Sequence, residues 1–478
     1  MAVNVDYAVG CRTKGACTFF LSLLSLLAMA ALPHVWAHHF ADPVSGTLGI
    51  AAGLAAVGLP FTLARSSGWR PWAGAILAIG LLARIAAFHW MIRGGLGADP
   101  LAYSTIAKHV LSGNGLYYDD AVYGPNLYAL YPPLYPIVLA GARAICGSSN
   151  VTTLIVNVTC DMAAGLLVFA LGVRFGRLPA RVAAALFWLA PPIVLSAAAL
   201  SKEPLAMALI LGAIFLGERL VDGSARWRGW VAFGLVVGLT ALCQPAFVTF
   251  PAFYIVTRAA SMRMPWRILT RPILVALSAF VLVMSPWWIR NAATFGHFVP
   301  LTTGAEIALA VATRAEGRDA PSLEMMKQDE IARAHELGLL ARHRILADPK
   351  TYLVNVAKRS ARAAALNDNP GQFFDSFQPP PLRPVAAFAA LSLQTGYACL
   401  LVLTVVGLIG VWRGPFWSLA SPWLVASASQ LMLFTIWVEF GDRHRAFILP
   451  FLMLAAAQTR SRMTDERARE KQFDVISN

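Results

Sequence analysis

Charge is the scarcest ingredient of this sequence. Asp, Glu, Lys and Arg together make up 13% of its 478 residues, whereas a soluble domain spends about a quarter of its residues on charge. That excludes a chain whose whole surface faces water, and a 58% share of hydrophobic residues turns much of the surface to lipid. Cysteine is sparse too. Cys11, Cys17, Cys146, Cys160, Cys243 and Cys399 show neither CxxC spacing nor clustering, which excludes a zinc ribbon or a disulfide framework and leaves them as packing residues. The sequence also has no basic domain and no nucleic-acid motif. Its net charge of +14 comes from short Lys and Arg clusters between apolar runs, so no nucleic-acid partner is expected.

What is present is a series of apolar stretches near the roughly 20 residues that span a hydrocarbon core. They fall at 17–33, 46–64, 72–92, 151–173, 181–200, 204–221, 229–243, 246–257, 272–289, 385–411, 416–438 and 443–459. Too many runs recur for a single signal peptide, and they predict an all-α polytopic membrane protein of about 12 transmembrane helices. The pair 229–243 and 246–257 is interrupted by Cys243-Gln244-Pro245 and reads as two short spans or one kinked or re-entrant element. Alternate loops carry Arg12 and Lys14, Arg65 and Arg70, Arg174 to Arg181, Arg219 to Arg228, Arg258 to Arg271, Arg413, and the tail from Arg460 to Lys471. The positive-inside rule makes that side cytoplasmic, with both termini inside. The first run, ending in Val35-Trp36-Ala37, also fits a cleaved signal peptide. The remaining layout is the same either way.

Two long segments then face outward, 93–150 and 290–384. In the first, Asp99 precedes Pro100, and proline favours the first turn of a helix. Asp99 therefore reads as that helix's N-cap, or as a carboxylate at the outer mouth of the bundle, one helical turn from Tyr103. Tyr117, Tyr118, Tyr123, Tyr128, Tyr131 and Tyr135 follow, a density that suits a membrane interface or a sugar-stacking wall. Ser201-Lys202-Glu203-Pro204 makes a tight outer hairpin. Its Glu203 is a cap or first-turn acid, or joins Lys202 in addressing an anionic head group. Arg290 follows the paired Trp287 and Trp288, as a lipid anchor or a bidentate phosphate clamp. Arg443, His444 and Arg445 form a second outer cationic group, and the two together point to a polyanionic ligand near the outer leaflet. Arg84 lies inside the third span, about 13 Å below residue 93, where a charge is either functional or a bridge between helices. Residues 304–367 alternate charge with helical periodicity and read as solvated helices covering the bundle. His34, His38, His39 and Asp42 read as an exposed loop, and no metal site is assigned to them.

Taken in order, these motifs resemble the GT-C glycosyltransferases, within them most closely the protein O-mannosyltransferase and lipid A aminoarabinose transferase branch. The resemblance rests on Asp99-x-x-x-Tyr103 after a first core helix, Tyr131-Pro132-Pro133-Leu134-Tyr135-Pro136, and Ser201-Lys202-Glu203-Pro204. It also rests on Pro286-Trp287-Trp288-Ile289-Arg290-Asn291, Phe295-Gly296-x-Phe298-Val299-Pro300, and Arg443-His444-Arg445. It covers about 72–459 and divides the chain into two additional helices (1–71), a transmembrane core (72–289) with the first outer loop, a helical outer loop (290–384), C-terminal spans (385–459) and a basic tail (460–478). It implies a hexosyl or pentosyl transferase of a bacterial inner membrane, working on the periplasmic face with a polyprenyl-phosphate-linked sugar donor and a lipid, glycan or protein acceptor. It implies Asp99 as general base, with Tyr103, Tyr131, Lys202, Glu203, Arg290, Arg443, His444 and Arg445 binding substrate and Arg84 in a secondary place. No cofactor is implied with certainty, and a divalent cation stays open. Many members carry an acidic pair where this chain has Asp99 and Pro100, so the substrate of the paired-acid members does not carry over.

Two other functions share many of these features. A flippase for lipid-linked sugars would also need outer cations, but it often carries internal repeats and midplane sites, and no repeat between the halves is found here. A lipid-pyrophosphate-dependent polysaccharide ligase or polymerase would lean on a late outer loop, making His444 weigh more than Asp99.

Overall fold

The computed structural model describes residues 18, 21–38, 42–63, 69–94, 96–120, 124–221, 227–263, 265–313, 329–366, 383–410, 416–437 and 442–459. A helix stands at each expected span, so the chain is an all-α polytopic membrane protein. By length and composition, Pro43–Thr62, Pro71–Met91, Asn150–Phe175, Arg267–Phe295 and Pro384–Ile409 each suffice to cross a bilayer. The expected span at 181–200 is a broken one, Arg177–Leu189 followed by Pro191–Ala198 with a bend of 48°, because Pro191 and Pro192 cannot continue the first helix's hydrogen-bond ladder. Several other apolar helices are shorter than a bilayer needs, among them Leu21–Ala37, Trp227–Cys243 and Ala446–Ala456. Against the expected count of about 12 spans, five helices among the described residues, or six with the bent pair, are long and apolar enough to cross alone. The Cys243-Gln244-Pro245 interruption is real: Trp227–Cys243 ends there, a 3₁₀ turn covers Pro245–Phe247, and Phe250–Ser261 begins anew.

Arg383–Gly410 is the interior helix, with 72% of its central window buried against 22% for Arg267–Phe295. It packs on Pro43–Leu63 and on Leu449–Ala456, while Trp227–Cys243 packs between Glu203–Val221 and Trp266–Phe295. These contacts are close because small residues line them. A Cβ on Gly49 would lie 2.5 Å from the Phe388 carbonyl, and one on Gly234 would lie 2.0 Å from the Ala276 carbonyl. Without a hydrophobic driving force between helices in lipid, such close approach supplies the packing energy. Near the C-terminus of Glu203–Val221, buried Glu218 draws three other parts of the chain to it. It pairs with Arg174, lies 3.4 Å from Arg258, and accepts from the Trp423 indole at 3.2 Å.

The first outer loop is a small unit of its own. Helix Ala98–Leu111 packs on Leu134–Cys146, and between them Tyr118–Asp120 pairs antiparallel with Gly124–Leu127, a hairpin the sequence reading did not foresee. In the second outer loop Gly304–Ala312, Glu330–Ala347 and Pro349–Ala365 are helical, as the charge periodicity predicts. Asp329 caps the second of these by accepting from the Ile331 and Ala332 amides, at 3.0 and 2.9 Å. The basic tail at 460–478 lies outside the described residues.

Candidate active site

Asp99 sits in the first turn of Ala98–Leu111, but the N-cap position is taken by Gly97. The cap reading of Asp99 is therefore corrected. Ala98, Asp99 and Pro100 open the helix, where proline's missing N–H costs no ladder bond. The half-buried carboxylate stands where the helix dipole favours negative charge. One turn on, Tyr103 is 1% exposed and forms the hub of an aromatic cluster. Its ring meets Tyr131 edge-on at 5.4 Å and Tyr135 at 5.2 Å, and Tyr131 meets Tyr118 at 5.7 Å. The tyrosines are thus mainly the core of the outer unit, with Tyr117, Tyr128 and Tyr131 only half-buried. Burial, with the carboxylates of Asp120 and Asp119, pushes the Tyr118 phenol above its ordinary pKa, so it remains a neutral packing group. Tyr123 lies outside the described residues.

Lys202 comes to this cluster from the hairpin before Glu203–Val221, its Nζ 5.7 Å from the Tyr103 ring centroid. The hairpin is held rigidly. Leu200 has φ of 58°, a left-handed conformation costing about 1–2 kcal/mol for a residue with a side chain. Surrounding bonds hold it there: the Asn157 amide donates to the Ala197 and Ser201 carbonyls, both at 3.1 Å. The Tyr135 hydroxyl donates to Asn157 Oδ1 at 2.8 Å, with the Leu200 carbonyl 3.2 Å away. Glu203 opens the next helix as a first-turn acid and is buried. Tyr103, Tyr131 and Lys202 thus come together, with Asp99 one helical turn before Tyr103 and Glu203 next to Lys202 in the chain.

The other cations are placed differently. Arg290 donates to the Tyr128 carbonyl at 2.8 Å, the Leu116 carbonyl at 2.5 Å and Asn291 Oδ1 at 2.9 Å. It ties the first outer loop to the root of the second, in a position the phosphate-clamp expectation did not include. Glu330 completes the tie from the other side, accepting from the Tyr128 and Ala129 amides at 2.5 and 3.0 Å and from Thr303 Oγ1 at 2.5 Å. Arg445 is fully buried and caps the C-terminus of Pro349–Ala365, donating to the Ala363 carbonyl at 2.7 Å, the Arg362 carbonyl at 3.2 Å and the Leu366 carbonyl. His444 stacks on Phe434 at 4.6 Å, and the Arg443 side chain lies outside the described residues. Arg84 is a bridge between helices: it pairs with Asp161 at 2.9 Å, donates to the Gly80 and Trp188 carbonyls, and lies 3.9 Å from the Trp188 ring centroid. Sequence reasoning passed over Asp161 and Asn157, and read Glu330 as one charge of a solvated helix, whereas it is buried. Asn157 and Asp161 were findable as polar residues inside a span, four apart on one helix face.

Among the described residues, no group of three or more His, Cys, Asp or Glu side chains is arranged to hold a metal ion. His39 lies outside them. Cys146, Cys160, Cys243 and Cys399 are free thiols.

No protein-family model and none of the curated proteins matches the chain. Solved structures do. The oligosaccharyltransferase AglB of Archaeoglobus fulgidus, in complex with an inhibitory peptide and a dolichol-phosphate, matches over 86% of this chain with 14% identity and a TM-score of 0.50. The match covers 52% of AglB, so the chain spans about half the length of that relative. A second structure of the Archaeoglobus fulgidus oligosaccharyltransferase, with Zn and sulfate, matches over 84% of this chain and 50% of its own, again with 14% identity and a TM-score of 0.50. ArnT of Cupriavidus metallidurans, in the apo state, aligns over 82% of this chain and 78% of its own, with 13% identity and a TM-score of 0.40. The chain thus carries the helical membrane fold of the Archaeoglobus fulgidus oligosaccharyltransferase.

Proposed function

We infer that the chain is a membrane glycosyltransferase that moves one sugar from a polyprenyl-phosphate donor to a lipid, glycan or protein acceptor at the outer, periplasmic face of a bacterial inner membrane. The observation that supports this most directly is a cation set over the ring of Tyr103, on the helix whose first turn carries a carboxylate. Asp99 lies one helical turn before Tyr103, and Lys202 lies 5.7 Å over the Tyr103 ring. That arrangement suits a displacement in which a proton-accepting group serves the incoming nucleophile and a phosphate-facing cation serves the leaving group at one anomeric carbon. The acceptor oxygen or nitrogen forms the new bond to that carbon, the bond from the carbon to the phosphate oxygen breaks, and the acceptor's proton goes to Asp99. The carrier leaves as its phosphate, and the configuration inverts. An ionised Asp is a weak base near pH 7, so its contribution is position in a water-poor site. Lys202 stabilises the charge that the leaving phosphate gains. Half-buried Tyr131 and the Glu203 carboxylate are the groups at hand for sugar hydroxyls.

The test is to incubate purified protein with a panel of radiolabelled polyprenyl-phosphate sugars and a membrane extract. The reading expects one donor to be consumed with label appearing in an acceptor. Release of free carrier phosphate with no acceptor-linked product would overturn it, as would transport of the lipid-linked sugar without chemistry.

A further inference from the structure

Away from the outer mouth, a groove of ≈ 360 Å³ lies between Trp69–Met91, Asn150–Gly172 and Arg177–Leu189. Small residues make it concave: Ala73, Gly165 and Ala184 leave room where longer side chains would fill the space between the three helices. Its rim is open to lipid, with Leu77 and Leu166 43% and 65% exposed. The floor is the Trp188 ring, whose Nε1–H already donates to the Leu77 carbonyl at 3.2 Å, so it offers an apolar surface. The same ring carries the Arg84 guanidinium, so groove and buried ion pair share a wall.

One end of this apolar slot is charged. Arg181 lines it, and exposed Arg177 stands four residues earlier on the same helix face. From Arg181 to Trp188 is about 10 Å along the helix, at 1.5 Å per residue, so the slot leads from a cationic end into the depth of the bilayer. Arg174, Arg177 and Arg181 belong to a loop that the positive-inside rule puts on the cytoplasmic side.

We propose that this groove binds one acyl chain of an anionic glycerophospholipid of the cytoplasmic leaflet, with its phosphate at Arg177 and Arg181. Lipid tails are as apolar as Leu, so the walls alone do not choose among lipids. The choice lies in the head group, because arginines at the membrane surface favour an anionic lipid over a zwitterionic one. This site is separate from the outer reaction site and does not depend on the sugar-transfer reading.

Native mass spectrometry of the full-length protein tests it, with phosphatidylglycerol, phosphatidylcholine and a polyprenyl phosphate offered in competition. The wild type is expected to retain phosphatidylglycerol over both others, and each of Arg177→Gln and Arg181→Gln to lower that preference about fivefold. Ala184→Phe is expected to abolish retention by filling the slot. Gly165→Leu is the second filling variant, since a Cβ there meets Phe187 at an ordinary 3.5 Å. Equal retention of the two phospholipids, preference for polyprenyl phosphate, or unchanged phosphatidylglycerol retention in a folded filling variant would overturn the assignment.

Discussion

An arginine whose donors already meet carbonyl oxygens gives up those bonds if it turns to a phosphate. Arg290 and Arg445 are in that position, bound to Leu116, Tyr128 and Ala363, whereas Lys202 lies over the Tyr103 ring at the outer mouth. The three cations therefore separate by experiment. Lys202→Gln is predicted to slow transfer on the order of 10²–10³-fold, the usual cost of one preorganised charged donor, with a smaller loss of thermal stability than Arg290→Gln. Arg290→Gln is predicted to lower stability by roughly 1.5–3 kcal/mol, as charged hydrogen bonds to buried groups do. Kinetics and thermal unfolding on the same preparations check both, and equal stability losses in the two variants would contradict the division. Local pattern showed that Arg290 and Arg445 are unusual charges beside a membrane. Their acceptors come from distant parts of the chain, and so their tying role was not legible in the sequence. Arg84 was legible as exceptional, and only the fold supplies Asp161 as its partner.

Helices in this chain were readable because apolar runs near the bilayer length leave few alternatives. Their faces were less so. Gly49 and Gly53 are spaced as G-x-x-x-G, as are Gly234 and Gly238, a pattern that lets helices approach closely. Gly234→Ala puts a methyl 2.0 Å from the Ala276 carbonyl, whereas Gly58 has nothing within 4 Å of such a methyl. Gly234→Ala is predicted to destabilise by about 1–3 kcal/mol through overpacking. Gly58→Ala is predicted to be neutral or to stabilise by up to roughly 1 kcal/mol through helix propensity. Thermal unfolding in one detergent decides, and similar midpoints would remove the packing argument. The small hairpin at Tyr118–Asp120 and Gly124–Leu127 escaped the sequence because strands this short show too little alternation to register.

At the scale of the molecule, the two outer loops act as one body. Tyr128 and Ala129 of the first are held by Arg290 from the membrane side and by Glu330 from the second loop, and the Thr303 amide donates to the Ala129 carbonyl at 3.0 Å. The second loop thereby fixes the unit that carries Asp99, Tyr103 and Tyr131. The order of motifs along the chain was enough to imply the fold, through the resemblance that they carry together. How these pieces are joined depends also on Asn157 and Glu330, which no local motif marks. The central claim is that Asp99 removes the acceptor's proton, and single-turnover transfer by Asp99→Asn measures it most directly, using the donor that the panel identifies. The account predicts a loss on the order of 10²–10⁴-fold, with donor binding and thermal midpoint unchanged. Transfer within a few fold of wild type, or loss of folded protein on making the substitution, would contradict it.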